Sequence, residues 1–203
     1  MISEYKILIK ENSTKLIEFA ATELRDFISA ATEQTLEIVR EYMPGNKYIS
    51  IDRTALSEKY VLTFPKNFNS SGFLLRTVDN NYIIYGVSEH GSLYGVYELL
   101  KSMISFEAYA EGEIYFEKRQ DIAFEPIDFM YCPKIEYRHA TSFNTKGSHV
   151  ENINRLRLFG GGYNMDGNKD DWYYKFWGGG MFAHTTFKIL PPERDENGLL
   201  IHK

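Results

Sequence analysis

Five aromatic residues within six positions, from Trp172 to Trp177, form the densest group of side chains that could bind a ligand. Their rings present flat apolar faces, and those of tryptophan and tyrosine also carry a polar group. Such faces can stack on sugar rings, so we predict a carbohydrate-binding wall with Trp177 as a substrate-binding residue. The alternative is an aromatic loop that packs against the remainder of a longer parent protein.

Three oxygen-bearing residues at alternate positions, Asp166, Asn168 and Asp170, resemble the start of a calcium-binding loop. Such a loop needs glycine at its sixth position and glutamate at its twelfth, where this chain has Asp171 and Trp177. The two glycine triplets, Gly160–Gly162 and Gly178–Gly180, lack the lysine of a phosphate-binding loop. The histidines lack a zinc-binding spacing. We therefore predict no metal site and no cofactor.

The composition excludes several classes of protein. Hydrophobic residues are 43% of the chain and charged residues 25%, as in globular proteins. A net charge of −5 disfavours nucleic-acid binding, which needs a basic surface. No apolar stretch reaches the roughly 20 residues that span a bilayer. The first residues do not form a signal peptide. Prior removal of one would place the protein in the periplasm or outside the cell, so the compartment stays open.

The only cysteine, Cys132, excludes an intrachain disulfide. A lone cysteine needs a matched histidine and a suitable pocket before it can act as a nucleophile. We therefore predict that Cys132 is a buried, small apolar residue.

Residues 1–130 carry the pattern of one α+β domain. Alternating apolar residues predict strands, and apolar stripes with helical spacing predict two helices. The order β-α-β-β-β-β-α predicts two layers, a mixed sheet with both helices on one face. The predicted elements are a strand at Tyr5–Lys10, a helix capped within Asn12–Thr14, strands within Leu36–Arg40 and Tyr48–Ile51, a hairpin of Gly72–Val78 and Tyr82–Val87, a helix capped by Ser88, and a further strand at Ile114–Phe116.

Two local features give finer predictions. The residues Asp79-Asn80-Asn81 between the hairpin strands predict a three-residue loop. Gly91 and Gly95 lie four residues apart on one face of the second helix. Each glycine lowers helix propensity by about 1 kcal/mol, so the pair predicts a helix that must lie close against the sheet.

Two segments resemble the N-terminal part of α-glucuronidases and of related bacterial glycoside-hydrolase-like proteins. The first is the helical run Gly91–Leu100, which follows a hairpin that ends in Gly86, and the second is Pro133–Arg138. Between them, Tyr109–Glu113 takes the place of an aromatic-proline-glycine-glutamate element, with Glu111 where proline is usual. The resemblance extends over most of the chain.

The resemblance implies an accessory α/β domain in residues 1–130, followed by the incomplete start of a (β/α)8 barrel in residues 131–203. The first barrel strand would be Ile135–Ala140, and the first barrel helix Ser148–Leu158. A whole barrel takes about 250 residues, so the two carboxylates needed for glycoside hydrolysis would lie beyond Lys203. We therefore expect a truncated form of a longer protein, without catalytic residues of its own.

The resemblance also implies two contacts with substrate. The run His184–Phe187 is similar to a stretch after the second barrel strand whose histidine faces the cleft, so His184 is predicted to bind substrate. The alternative is a histidine in a surface loop. Arg138, near the first barrel strand, carries a guanidinium that suits planar recognition of a sugar hydroxyl or carboxylate. Its alternative role is a structural ion pair with a barrel carboxylate.

Three functions remain open from the sequence. The leading one is the non-catalytic N-terminal part of a polysaccharide-degrading glycoside hydrolase. Its partners would be an oligo- or polysaccharide and the barrel of its own parent chain. The alternatives are an independent carbohydrate-binding module and a scaffold or protein-interaction domain that shares the fold, because a fold alone does not determine a function.

Overall fold

A six-stranded mixed sheet forms the centre of the fold. The computed structural model describes residues 1–110, 112–136, 138 and 154–158. The strands in this part of the chain are β1 (Tyr5–Leu8), β2 (Ile38–Val39), β3 (Lys47–Ile51), β4 (Phe73–Val78), β5 (Asn81–Gly86), β6 (Glu107–Ala110), β7 (Glu113–Tyr115) and β8 (Asp128–Tyr131).

The strand order of the sheet is β2-β1-β3-β5-β4-β8. The pairs from β2 to β5 are parallel, and β4 pairs antiparallel with both β5 and β8. Ile7, Ile49 and Ile84 are fully buried in its centre, as expected for strands that are covered on both faces. The predicted mixed sheet is therefore confirmed.

Two helices, α1 (Lys15–Thr32) and α2 (Glu89–Ile104), pack on one face of the sheet and against each other. Thr14 caps α1 by accepting a hydrogen bond from the backbone of Ile17. Ser88 lies at the N-cap position of α2, but its hydroxyl donates to the carbonyl of Ser70, so the predicted cap by its side chain was wrong. The predicted arrangement of two helices on one face is confirmed.

The hairpin of β4 and β5 has a shorter loop than the sequence predicts. Asn81 pairs with Val78 in the ladder, which leaves only Asp79 and Asn80 in the turn. Both turn residues have positive φ, +48° and +61°, the conformation of the two-residue turns that match strand twist. The prediction of a three-residue loop was wrong because Asn81 suits a strand end as well as a loop. Its side chain accepts a hydrogen bond from the backbone of Tyr48 on β3.

The two glycines of α2 permit the predicted close approach to the hairpin. A Cβ atom on Gly91 would lie 2.2 Å from the carbonyl oxygen of Gly72. A Cβ atom on Gly95 would lie 2.6 Å from a methyl group of Ile84. Both distances are shorter than a non-bonded contact with carbon allows, so the first turns of α2 can pack this closely only without side chains here.

The segment that follows β3 packs on the other face of the sheet. Side chains alternate along a strand, so Leu8 and Tyr48 point away from the helices. They form a buried cluster with Leu56. Farther along, the ring of Phe64 stacks on Tyr85 with 5.8 Å between centroids.

The predicted strand at Ile114–Phe116 is present as β7, but it does not join the main sheet. It pairs with β6 in a separate two-stranded sheet. Gly112, in the turn between β6 and β7, has a φ of +76°, which glycine adopts without strain.

The predicted barrel start lies largely outside the described residues. Residues 131–136, 138 and 154–158 are described, and all of them belong to the same compact unit, Met1–Phe159. The (β/α)8 barrel and the domain boundary after residue 130 therefore remain predictions. In the described part of the chain, no helix combines the length and apolar character that a bilayer span requires.

Candidate docking site

A buried ion pair connects α1 to the short segment 154–158. Glu23 projects from the middle of α1, and only 6% of its surface is exposed. The guanidinium of Arg155 meets it with two hydrogen bonds, Nε to Oε2 at 2.7 Å and Nη2 to Oε1 at 2.6 Å. A bidentate contact between guanidinium and carboxylate is among the strongest polar contacts in proteins.

Two aromatic side chains complete this contact. The hydroxyl of Tyr97, on α2, donates to Oε2 of Glu23 at 3.1 Å, so α1, α2 and the segment meet at one carboxylate. The guanidinium of Arg155 also lies over the ring of Phe27, 5.5 Å from its centroid. Burial, and then the adjacent Glu23 carboxylate, raise the pKa of Tyr97 well above its ordinary value. Tyr97 is therefore a neutral hydrogen-bond donor at physiological pH.

A second ion pair lies on α2. Arg157 donates to Glu98 at 2.7 Å, and both side chains are about a quarter to a third exposed. The hydroxyl of Tyr94, also on α2, donates to the carbonyl of Leu158 at 3.2 Å. The carboxylates of the two helices thus receive the two arginines of the run Arg155-Leu156-Arg157. We call the residues Glu23, Tyr94, Tyr97 and Glu98 the docking site.

Arg138 joins the chain beyond β8 to the same region. Its guanidinium donates to the carbonyl oxygens of Arg157 at 3.0 Å, Ile135 at 2.6 Å and Glu136 at 3.2 Å, and to the hydroxyl of Ser71 at 3.4 Å. A guanidinium has five N–H donors, and most of those of Arg138 are directed to backbone carbonyl oxygens. Arg138 thus links the segment after β8 to residue 157 and to the loop before β4.

After β8, residues 132–136 form hydrogen bonds with the loop before β4. The backbone of Asn69 donates to the sulfur of Cys132 at 3.2 Å, and its side chain donates to the carbonyl of Pro133 at 2.7 Å. The hydroxyl of Ser70 donates to the carboxylate of Glu136 at 3.0 Å. Cys132 is half-buried and its sulfur accepts a backbone N–H, so the prediction of a buried, small apolar residue was wrong.

A polar cavity of about 220 Å³ lies where β1 and β3 end. This is the edge at which ligands of parallel sheets usually bind. Its two carboxylates are both engaged: Asp52 accepts from the hydroxyl of Ser92 at 2.7 Å, and Glu89 accepts from the hydroxyl of Thr14 at 2.7 Å. In the described residues, no group of three or more histidine, cysteine, aspartate or glutamate side chains could hold a metal ion.

Comparison with known proteins identifies the first part of the chain. The profile described as the N-terminus of glycosyl hydrolase family 67 matches residues 3–99. The chain carries an α-glucuronidase-like N-terminal domain. This match covers β1 to β5 and most of α2, including every residue of the docking site.

A solved glycosidase structure shares the fold of this chain. A family GH115 4-O-methyl-α-glucuronidase with specificity for decorated arabinogalactans superimposes with a TM-score of 0.56 at 16% identity. The superposition covers 76% of this chain and 24% of that enzyme, so the chain spans about a quarter of its length. A family GH138 enzyme targeting pectin rhamnogalacturonan II gives a TM-score of 0.36 at 17% identity, over 48% of this chain and 13% of that one. Curated proteins give no match.

These findings confirm the resemblance to the N-terminal part of α-glucuronidases and the association with glycoside hydrolases. Two of the predicted substrate-binding residues, Trp177 and His184, lie outside the described residues. Arg138 lies beside the α-glucuronidase-like domain, 5.6 Å above the ring of Tyr94. The roles of all three in substrate binding remain predictions.

Sequence reasoning missed the two carboxylates of the docking site. Neither Glu98 nor Glu23 was singled out from the sequence as a candidate functional residue. A signal for Glu23 was present, since it lies three residues after Ala20 and four before Phe27, on the apolar side of α1. A charged residue at such a position needs a partner, because an unpaired buried charge is strongly unfavourable.

Proposed function

We propose that this chain is the non-catalytic N-terminal part of a glycoside hydrolase that acts on a polysaccharide, and that its α-glucuronidase-like domain holds the polypeptide that comes after it. The observation that carries the proposal is the bidentate contact of Arg155 with Glu23. The carboxylate of Glu23 is buried, and its ionic partner comes from the polypeptide that follows the domain. This pairing favours a domain whose helix face is covered by that polypeptide. The catalytic carboxylates would then lie in the barrel of the parent protein.

The fold match to a GH115 α-glucuronidase suggests glycans that bear uronic acid as the first substrates to try. Arg138 and the predicted residues Trp177 and His184 would border the cleft. An oligo- or polysaccharide would then be the substrate of the parent, and its barrel the partner of this domain.

The test concerns Asp52 and Glu89, the two carboxylates that line the polar cavity at the end of β1 and β3. In the parent protein, Asp52→Asn and Glu89→Gln should leave kcat on uronic-acid-bearing oligosaccharides within about twofold of wild type. Glycosidases lose most of their activity when either of their paired carboxylates is removed. A loss of 100-fold or more in either variant, with the fold intact by circular dichroism, would place catalysis in this domain.

Oligosaccharide binding distinguishes this proposal from the alternative of an independent carbohydrate-binding module. Isothermal titration of the 203-residue chain with the same oligosaccharides should show no heat of binding if the domain acts only with the parent barrel. Binding that is lost in Trp177→Ala would favour the independent module instead.

A further inference from the structure

We propose that the docking site is a receptor for a pair of guanidinium groups, and that it selects the run Arg155-Leu156-Arg157 of this chain as the segment that lies across α1 and α2. The inference deepens the proposed function and rests on it, because the run belongs to the polypeptide that the domain is proposed to hold. It names the chemistry that the helix face recognises, and the residues that recognise it.

The site is specific for guanidinium because of its geometry. Both oxygens of Glu23 are used by two different nitrogens of Arg155, at 2.7 and 2.6 Å. A lysine ammonium is a single point charge and cannot make this planar fork. The guanidinium of Arg155 also lies over the ring of Phe27, and the hydroxyl of Tyr97 donates to the same carboxylate.

Glu23 and Glu98 differ in exposure to water, so their two ion pairs contribute differently to the contact. Glu23 has 7% of its side chain exposed and Arg155 has 17%, so little water reaches this pair while the segment is in place. Glu98 and Arg157 are 26% and 30% exposed, so water screens that pair and its contribution is small. Arg155 is therefore the selective contact, and Arg157 fixes the direction of the run across α2.

Charge complementarity identifies the occupant. The receptor offers one carboxylate on each helix, and the run offers two arginines with one residue between them. The carbonyl of Leu158 accepts from Tyr94, which extends the contact by one further residue. The receptor thus fixes residues 155–158, the end of the predicted first barrel helix, across α1 and α2.

Trypsin reports directly on this recognition, because it cleaves after arginine and must take the guanidinium into its own pocket. When opening is fast relative to cleavage, the cleavage rate follows the population of the detached segment. In the full 203-residue chain, Glu23→Gln should raise cleavage after Arg155 and Arg157 by roughly tenfold or more. Cleavage after the exposed Lys66, in the loop before β4, should stay at the wild-type rate.

Glu18→Gln is the matched control on the same helix. Glu18 forms an exposed pair with Arg40 at 2.7 Å, so its loss should leave cleavage after Arg155 unchanged. Rapid cleavage after Arg155 in the wild-type chain would overturn the proposal. An equal rate of cleavage there in wild type and Glu23→Gln would overturn it as well.

A second variant covers the case in which Glu23→Gln unfolds the whole domain, which faster cleavage after Lys66 would reveal. Arg155→Met alters only the segment, so it should raise cleavage after Arg157 and leave the rate at Lys66 unchanged. Arg155→Lys should behave like Arg155→Met rather than like wild type, because the fork is lost although the charge remains. Failure of either expectation refutes guanidinium recognition. Glycosidase turnover by the chain would refute the proposed function alone, since the trypsin result does not depend on activity.

Discussion

Gly91→Ala tests whether the close packing of α2 on the hairpin is as tight as the structure shows. The added Cβ would lie 2.2 Å from the carbonyl oxygen of Gly72, whereas real Cβ atoms essentially never approach another heavy atom within 3.0 Å. The helix and the hairpin must therefore separate by roughly 0.8 Å or more, the difference between those two distances. That carbonyl also accepts a hydrogen bond from the backbone of Val87 at 2.9 Å, so it cannot move freely.

The change in the free energy of unfolding follows from two opposing effects. Overpacking a well-packed interior costs about 1–3 kcal/mol, and an obstacle made of backbone belongs at the upper end. Alanine regains up to about 1 kcal/mol of helix propensity relative to glycine. We therefore expect Gly91→Ala to lower the free energy of unfolding by about 2 kcal/mol, which lowers Tm by roughly 4–8 °C in a chain of this length.

Urea unfolding followed by circular dichroism measures this difference, and Gly95→Ala is the matched control. Its Cβ would meet a methyl of Ile84 at 2.6 Å and the ring of Phe73 at 3.3 Å, which are side-chain atoms and lie farther away than the backbone oxygen that Gly91→Ala would meet. Gly95→Ala should therefore cost less than Gly91→Ala. A neutral or stabilising Gly91→Ala would mean that helix propensity alone governs the position, and it would refute the close approach.

Three further predictions concern the same domain. Ser92→Ala removes the buried hydroxyl that accepts from the backbone of Gly86 and donates to Asp52. It should lower the free energy of unfolding, measured in urea, by about 2 kcal/mol. A decrease of less than about 0.5 kcal/mol would contradict this prediction. Asn80→Val should cost about 1–2 kcal/mol because a β-branched residue resists a φ of +61°, whereas Asn80→Gly should cost nothing by the same measurement. Burial raises the pKa of Tyr5 from 10.0 to about 12. The folded state thus holds this proton more tightly, so its contribution to stability is full below about pH 10 and is lost toward pH 12, and Tyr5→Phe should reduce that slope in urea unfolding across this range.

The order of the elements could be predicted because it depends on local patterns. Strand alternation and helical stripes are properties of adjacent residues, and they placed β1 to β5 and both helices in the correct order. The spacing of Gly91 and Gly95 likewise predicted a close helix–sheet contact, which the positions of Gly72 and Ile84 confirm. The turn at Asp79 was harder, because one residue more or less in a loop leaves the pattern unchanged.

The docking site could not be predicted because it depends on distant residues. Glu23 and Arg155 are 132 positions apart, and no local spacing connects them. Glu98 has the helical position of a solvated residue until Arg157 lies beside it. The predicted substrate-binding residues were chosen by residue type and by resemblance. Of these, Arg138 directs most of its donors to backbone carbonyls.

The proposal that this chain belongs to a glycoside hydrolase without catalysing the reaction is tested most directly by assaying the chain itself. The measurement is the release of uronic acid from decorated oligosaccharides by the purified 203-residue chain, beside its parent protein at equal molar concentration. We expect product from the parent and none above the blank from the chain. Turnover by the chain would contradict the proposal and would place two catalytic carboxylates within these residues.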